Sequence, residues 1–464
     1  MAVTLESPVR IGKLAIGALG TLALALGTLQ AVVEPSLPLL QRDLGIGNAE
    51  GALIFVTLLI TGAVVAPIAG KLGDRYGGKR VLVVLMTVVS AGGLFSSLAP
   101  NLPVLLLGQV LQGAMVGALP LSFILVRKHL PPGQTQVAVG IVSGLFTGGS
   151  LVGMLIAGPI AEGLSRHWMF AIPTIAIIAT TLIVSRLMPD DPPAESDSRI
   201  DWLGVILLSC TLVALVLGFM AVTGGGLPPL AVGAVTVVVA ALATGWVAVE
   251  RRASSPMVDL RMLTTPAMWG SCVVTLLMSL GFGMAAYLVP QLFDVSAEGY
   301  GFGASSTDIG LFLVPATIAG VAAGAVGGIA ARHFGPRAVI TAGAIVTAAT
   351  LIALASLHDA AWQLVLARTL IAFAVSVSAV ALLASTATAV AAEDTGIATS
   401  LLVVTRVVGI ALGAQIGAAI LGAGTDPVSG LPAESAFATS FVIAGVIAAL
   451  SLLVVRVMKK GTRA

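Results

Sequence analysis

Gly70-Lys-Leu-Gly-Asp-Arg-Tyr-Gly-Gly-Lys-Arg80 is a dense charged stretch between two apolar runs, roughly residues 50–70 and 80–99. Each run is about 20 residues, long enough to cross a bilayer as a helix rising ~1.5 Å per residue. The glycines let the backbone turn tightly, and Lys71, Asp74, Arg75, Lys79 and Arg80 keep the turn in water. Such a cluster of cations in a short loop places it on the cytoplasmic side. An ordinary basic turn would satisfy that bias as well, but an Asp74-Arg75 pair set between glycines is more than the bias requires.

The composition points the same way. Of 464 residues, 58% are hydrophobic and 9% charged, and the mean hydropathy is +1.08. Soluble domains carry about 25% charged residues, so this is a polytopic membrane protein. The net charge of +2 is small and its cations gather at loop ends, which argues for topology and against a nucleic-acid partner. Cys210 and Cys272 both lie in apolar runs, where no disulfide framework or metal spacing can be built from them. Arg10 and Lys13 precede the first apolar stretch as they would in a signal peptide. Gln30, Glu34, Pro35 and Pro38 interrupt its end, however, and more spans follow, so it reads as an uncleaved first span.

Periodicity and length predict an all-α protein of fourteen transmembrane helices, at about 14–39, 50–70, 80–99, 103–126, 136–161, 169–189, 202–222, 229–249, 268–292, 306–328, 338–357, 362–390, 395–421 and 437–457. On this scheme nineteen of the 23 Lys and Arg face one side, Arg42 and Arg166 the other, and Arg368 and Arg406 lie within spans. That bias predicts a plasma-membrane protein with both termini in the cytoplasm. The Pro/Ser/acidic stretch at 190–201 reads as a linker between a six-helix bundle over 1–189 and the rest. An uncharged hairpin over 202–250 then precedes a second six-helix bundle over 251–464. An internal repeat supports the division. Gly328–Arg337 echoes the motif at Gly70 at an offset of 258, and Leu364–Arg368 echoes Leu105–Gln109 at 259. Two such pseudo-repeats imply a substrate site between them near the midplane.

The pattern Gly70, Leu72, Asp74, Arg75, Gly77, Lys79, Arg80 resembles motif A of the major facilitator superfamily. The fifth span, with Gly144, Gly148, Gly149, Gly153, Gly158 and Pro159, resembles the antiporter motif C. Asp201-Trp-Leu-Gly and the run from Val249 to Leu263 resemble the ends of an inserted hairpin. Together these features resemble the fourteen-helix drug:proton antiporter branch, the EmrB/QacA-like transporters. The resemblance implies alternating access driven by a proton gradient, with no bound cofactor and no metal. It also implies that Asp74 latches a gate at the start of the thirteenth span near Thr395, with Glu393 and Asp394 available to Arg75 or Lys79. Gln109 stands where the family's motif B carries an arginine, and Gln30 near a common acidic position.

Ionisable groups within a span are costly and usually functional. Glu34 lies about 9 Å deep in the first span, Arg368 at a similar depth in the twelfth, and Arg406 about 16 Å into the thirteenth. By the resemblance the first and fourth spans of each half line the cavity, which would set Glu34 and Arg368 facing each other. We expect Glu34 to be the proton-coupling carboxylate with Arg368 as its partner; a static ion pair is the alternative. Arg406 reads either as an anchor for an anionic or carbonyl-bearing substrate or as a structural arginine capping backbone carbonyls. Gln30, Gln109 and Gln291 are expected to line the cavity; Gln112 and Gln415 are expected to bond between helices.

The function so predicted is proton-driven export of small amphipathic compounds by a monomer whose partners are substrate, protons and lipid. A dedicated exporter of one metabolite or lipid, and a non-transporting receptor or scaffold, are the rival readings. An enzyme is not expected, because His129, His167, His333 and His358 sit at loops or span ends without a nucleophile or metal partner in pattern.

Overall fold

The computed structural model describes residues 12–189, 202–223, 228–252, 265–296, 299–390, 395–426 and 430–457. Among these residues the structure is helical, and thirteen helices are long and apolar enough to cross a membrane. The predicted seventh span is also helical, as α9 (Trp202–Thr223), 22 residues without a charge.

Proline and glycine set the breaks. The expected first span divides into α1 (Lys13–Ala31) and α2 (Val33–Leu44). Pro35 has no N–H to offer the carbonyl of Ala31, and its ring crowds that carbonyl, so the ladder fails there. The charged stretch at 70–80, read as a turn, is almost wholly helical. The helix α3 (Asn48–Tyr76) runs through Asp74 and Arg75, and α4 (Gly78–Ser97) begins two residues after it ends. Gly77 alone, at φ 90°, makes the turn. The same device recurs between α12 (Ser306–Phe334) and α13 (Pro336–Leu354), where Gly335 has φ 82°.

The fourth span is α5 (Leu102–Gln112), a 3-10 stretch over Gly113–Gly117, and α6 (Ala118–His129). Asn101 caps α5 by accepting from Val104 N at 3.2 Å. Then come α7 (Pro132–Gly163), α8 (Arg166–Leu187), α10 (Pro229–Glu250), α11 (Pro266–Asp294), α14 (Ala361–Ala389), α15 (Thr395–Ala423) and α16 (Glu434–Val457). Prolines at the starts of α7, α10, α11 and α13 cost nothing there, because the first helical N–H groups have no intrahelical acceptor. Asp308 closes a capping box at the start of α12 with Ser305.

The chain forms two compact units. The first comprises Met1–Val32, Val65–Ile156 and Ile160–Ile200; the second comprises Val33–Val64, Ala157–Pro159 and Asp201–Ala464. The 33–64 segment, which holds α2 and the first part of α3, thus belongs to the second unit. In that unit α2 packs on α11 and α12, α11 on α14, α15 and α16, and α9 on α10 and α15. The hairpin α9–α10 presents Leu230, Val237 and Trp202 outward, more than half exposed. Such apolar surface suits lipid.

Candidate functional site

In the first unit, glycine brings backbones into contact. A Cβ on Gly149 would lie 2.0 Å from Leu24 O, and one on Gly153 would lie 2.4 Å from Thr28 O. Thr28 Oγ1 donates to Gly149 O at 3.1 Å across the same seam. So α1 and α7 touch backbone to backbone, and no larger residue fits either position. Gln30 is half-buried on α1. Gln109, expected to line a cavity, is instead fully buried against α4. Its Nε2 donates to Ser96 Oγ at 3.4 Å, and Gln112 Nε2 donates to Ser96 Oγ at 2.6 Å and Gly92 O at 3.3 Å. Gly92 and Gly108 leave no room there for anything but close helix packing, which turns both amides inward. In motif A, Gly70 lies in open space, Arg75 reaches over the Tyr76 ring at 5.4 Å, and Arg80 is exposed. Lys79 is half-buried. The Asp74 side chain, residues 391–394 and the Thr395 side chain lie outside the described residues, and so does the expected latch.

The second unit contains the ionisable groups within spans. Arg368 Nη2 on α14 donates to Glu34 Oε1 on α2 at 2.8 Å. Both are well buried, with side chains 5% and 14% exposed. The guanidinium also lies over the Phe282 ring at 4.6 Å, while its Nε and Nη1 have no acceptor among the described residues. Glu34 is therefore its one described acceptor. Pro38, with no N–H to return to the Glu34 carbonyl, leaves the helix loose at this turn.

One helical stretch further along α2, a directed relay of hydrogen bonds joins it to α11. Gln291 Nε2 donates to Gln41 Oε1 at 2.5 Å, and Gln41 Nε2 donates to Tyr287 Oη at 3.2 Å. Tyr287 Oη in turn donates to Asn48 O at 2.8 Å. Gly51 makes room, since a Cβ there would lie 2.1 Å from Gln41 Nε2. Gln291 is thus occupied in this relay. At the relay's exposed end Arg42 Nη1 bonds both carboxylate oxygens of Asp294 at 2.5 Å. Gly158 belongs to this unit too, and a Cβ on it would meet Thr307 N at 2.2 Å at the start of α12. Pro159, inside α7, follows directly.

Sequence reasoning singled out Glu34, Arg368 and Gln291 but not Gln41, Tyr287 or Asn48. Their signal was a buried tyrosine and an amide spaced four residues apart on α11, at 287 and 291. Outside the spans, Tyr300 donates to Pro432 O and packs edge-on against Phe437 at 5.9 Å. Burial, and then the Glu434 charge, push its hydroxyl up to about 12. Arg406, on α15, is half-buried and has no hydrogen bond or ion pair among the described residues.

The model of the family described as Major Facilitator Superfamily matches residues 19–293 and 271–463. The chain belongs to the major facilitator superfamily. This facilitator is 27% identical over 351 residues to the uridine/deoxyuridine transporter of Lactococcus lactis, covering 74% of this chain and 72% of that one. It is 28% identical to the tetracenomycin C resistance and export protein of Streptomyces glaucescens, covering 73% and 63%. It is 27% identical to the putative multidrug resistance protein MdtD of Escherichia coli, covering 67% and 65%. An uncharacterised Mycobacterium tuberculosis transporter of this type is 31% identical, but the match spans 42% of its length. The chain thus spans less than two thirds of several of its relatives. Among solved structures, the nucleoside transporter NupG superposes with a TM-score of 0.69 over 97% of this chain, at 12% identity. A bacterial homologue of the lysosomal transporter Spinster gives 0.66 over 95%, at 14% identity. At such identity these two establish the transporter fold alone.

Proposed function

We propose that this facilitator exports small amphipathic compounds across the plasma membrane by alternating access, driven by proton entry. Both termini then face the cytoplasm, as the cation bias predicts, and the fourteen-helix plan comprises two six-helix pseudo-repeats with an inserted hairpin. The observation that carries the reading is the Glu34–Arg368 pair, a buried carboxylate held at 2.8 Å by one guanidinium within the spans.

The proposed cycle uses the ability of this carboxylate to change charge. Proton arrival from outside neutralises Glu34, removes its attraction for Arg368 and frees α2 from α14. Proton loss to the cytoplasm restores the pair. By the cation bias, Arg42 and Asp294 mark the outer end, so the Gln291–Gln41–Tyr287 relay and the Arg42–Asp294 bridge close the outer path in the inward-facing state. Cargo bound from the cytoplasm opens that path, the proton reaches Glu34 from outside as cargo leaves, and the protein returns inward with Glu34 neutral. Export is favoured over uptake because the tetracenomycin and MdtD relatives are named for resistance, and motif C resembles the antiporter pattern. The second reading, a dedicated carrier of one metabolite, is favoured by the uridine/deoxyuridine relative.

The test is a resistance and dye-efflux panel in a host stripped of its own pumps, comparing wild type, Glu34→Gln and Asp74→Asn, each with and without uncoupler. Broad efflux that collapses in both variants and with uncoupler supports the proposal. A well-expressed protein without any such phenotype shifts the assignment to the dedicated carrier.

A further inference from the structure

Arg406 stands apart from every other charge in the spans of its unit. It lies eleven residues into α15, about 16 Å along the helix. It is the single charged residue of α15, and the helices packed on α15 offer no acid at its depth. Helix α9 has no charged residue; α11 has Asp294 at its last position and α16 has Glu434 at its first. Helix α14 carries Arg368, which is a cation and already paired.

Nor does a neutral acceptor serve it. Helices α11 and α15 run side by side. The Thr405 hydroxyl lies within reach of Cys272, and Gly409 is pressed against Leu276 and Ser279. Thr275 at the intervening level donates its hydroxyl to Ser271 O at 2.7 Å, and Thr405 donates to Leu401 O at 2.7 Å. Both hydroxyls donate within their own helices, and neither accepts from Arg406. Arg406 keeps accessible surface, and none of its donors meets a protein acceptor among the described residues. A structural arginine would show bonds to backbone carbonyls; this one shows none among the described residues. A permanently charged fork of five donors, open on one side within a membrane span, is chemistry for an oxyanion.

We propose that Arg406 binds the acidic group of the cargo, so that the transported compounds are amphipathic anions, carboxylates foremost. The proposal rests on the transporter reading above and narrows its substrate class. The planar fork holds a carboxylate by two parallel bonds.

The experiment uses the full chain in nanodiscs of phosphatidylcholine, with 4-biphenylcarboxylate and its neutral amide as matched probes. Thermal unfolding followed by tryptophan fluorescence reads binding through stabilisation of the folded state. The expected result is stabilisation by the carboxylate at concentrations where the amide has no effect. Arg406→Gln is expected to weaken carboxylate binding about tenfold to hundredfold, the scale of a charge-assisted hydrogen bond. Arg406→Lys keeps the charge and the fold but not the fork, and is expected to fall between; it decides the matter if the glutamine variant does not fold. Equal stabilisation by acid and amide, or wild-type carboxylate binding in either variant, overturns the proposal. Added phosphatidylglycerol that displaces the carboxylate assigns Arg406 to a lipid headgroup and overturns it as well. Efflux of a fluorescent amphipathic carboxylate and of the cation ethidium, run in parallel, separates the two claims. Ethidium efflux without carboxylate preference refutes the anion site alone, whereas Arg406-dependent binding without efflux of either dye refutes export alone.

Discussion

Glu34→Gln exchanges a charge for an amide while leaving an acceptor in place, which isolates the electrostatic part of the Arg368 pair. Removing one partner of a buried pair typically costs about 3–5 kcal/mol, because the survivor remains charged and unpaired. Arg368 is 5% exposed and has Glu34 as its one described acceptor, so nothing nearby takes over the carboxylate's part. The introduced amide oxygen can still accept a hydrogen bond from the guanidinium, worth about 1.5 kcal/mol, so the expected cost is about 1.5–3.5 kcal/mol. Arg368→Gln is expected to cost less, about 1–2 kcal/mol, because a carboxylate left alone can take up a proton and a guanidinium cannot shed one. The double variant holds two amides able to bond each other. It should therefore be less destabilised than the sum of the singles by about 1.5–3 kcal/mol. Reversible unfolding in mixed micelles of rising SDS content, read by tryptophan fluorescence, measures all three. Additivity within about 0.5 kcal/mol would refute the reasoning, since it would mean the two groups do not depend on each other.

Three further outcomes follow from other contacts. Gly149→Val sets side-chain carbon against Leu24 O, where even a Cβ would lie at 2.0 Å. It should cost at least about 1–3 kcal/mol, the usual scale of overpacking, seen as a lower unfolding midpoint. Gly51→Ala should displace the Gln41 amide and break the relay to Tyr287, as Gln41→Ala does directly. Each lost hydrogen bond is worth about 1 kcal/mol, so both variants should raise thiol labelling of a cysteine placed at Asn48 several-fold; unchanged labelling in both would deny the relay a closing role. Tyr300 has its hydroxyl raised from 10 to about 12, so its neutral form is favoured in the folded chain. Its contribution is complete below pH 10 and is lost as pH rises through about 12. The unfolding midpoint of wild type should therefore fall more steeply than that of Tyr300→Phe in that window, and parallel curves would contradict the assignment.

Much of the fold was legible because a bilayer demands long apolar runs, and these are visible without knowledge of packing. Depth along a helix was likewise enough to bring Glu34 and Arg368 to one level. The rest depended on geometry that composition does not carry. Pro35 and Pro38 marked trouble at the end of the first span, but only the packing of α2 on α11 and α12 places 33–44 in the second unit. The charged stretch at 70–80 reads as a loop by its polarity. Charged residues can end a helix that continues past the membrane, though, and only Gly77 needs a conformation that other residues avoid. Gln109 and Gln112 have the same chemistry as a cavity-lining amide, and it is the glycines at 92 and 108 that bring α4 close enough to bury them. The Gln41–Tyr287 relay joins residues 246 positions apart, and one sequence cannot reveal such a pairing.

The central claim is that Glu34 couples proton entry to export. The most direct measurement is proton flux into proteoliposomes that hold the purified protein and a pH-sensitive dye, with cargo supplied on the side from which it is exported. Wild type is expected to move protons inward only when cargo moves outward, and Glu34→Gln, folded and still able to bind cargo, is expected to move neither against a gradient. Cargo-dependent proton flux at the wild-type rate in Glu34→Gln would contradict the account.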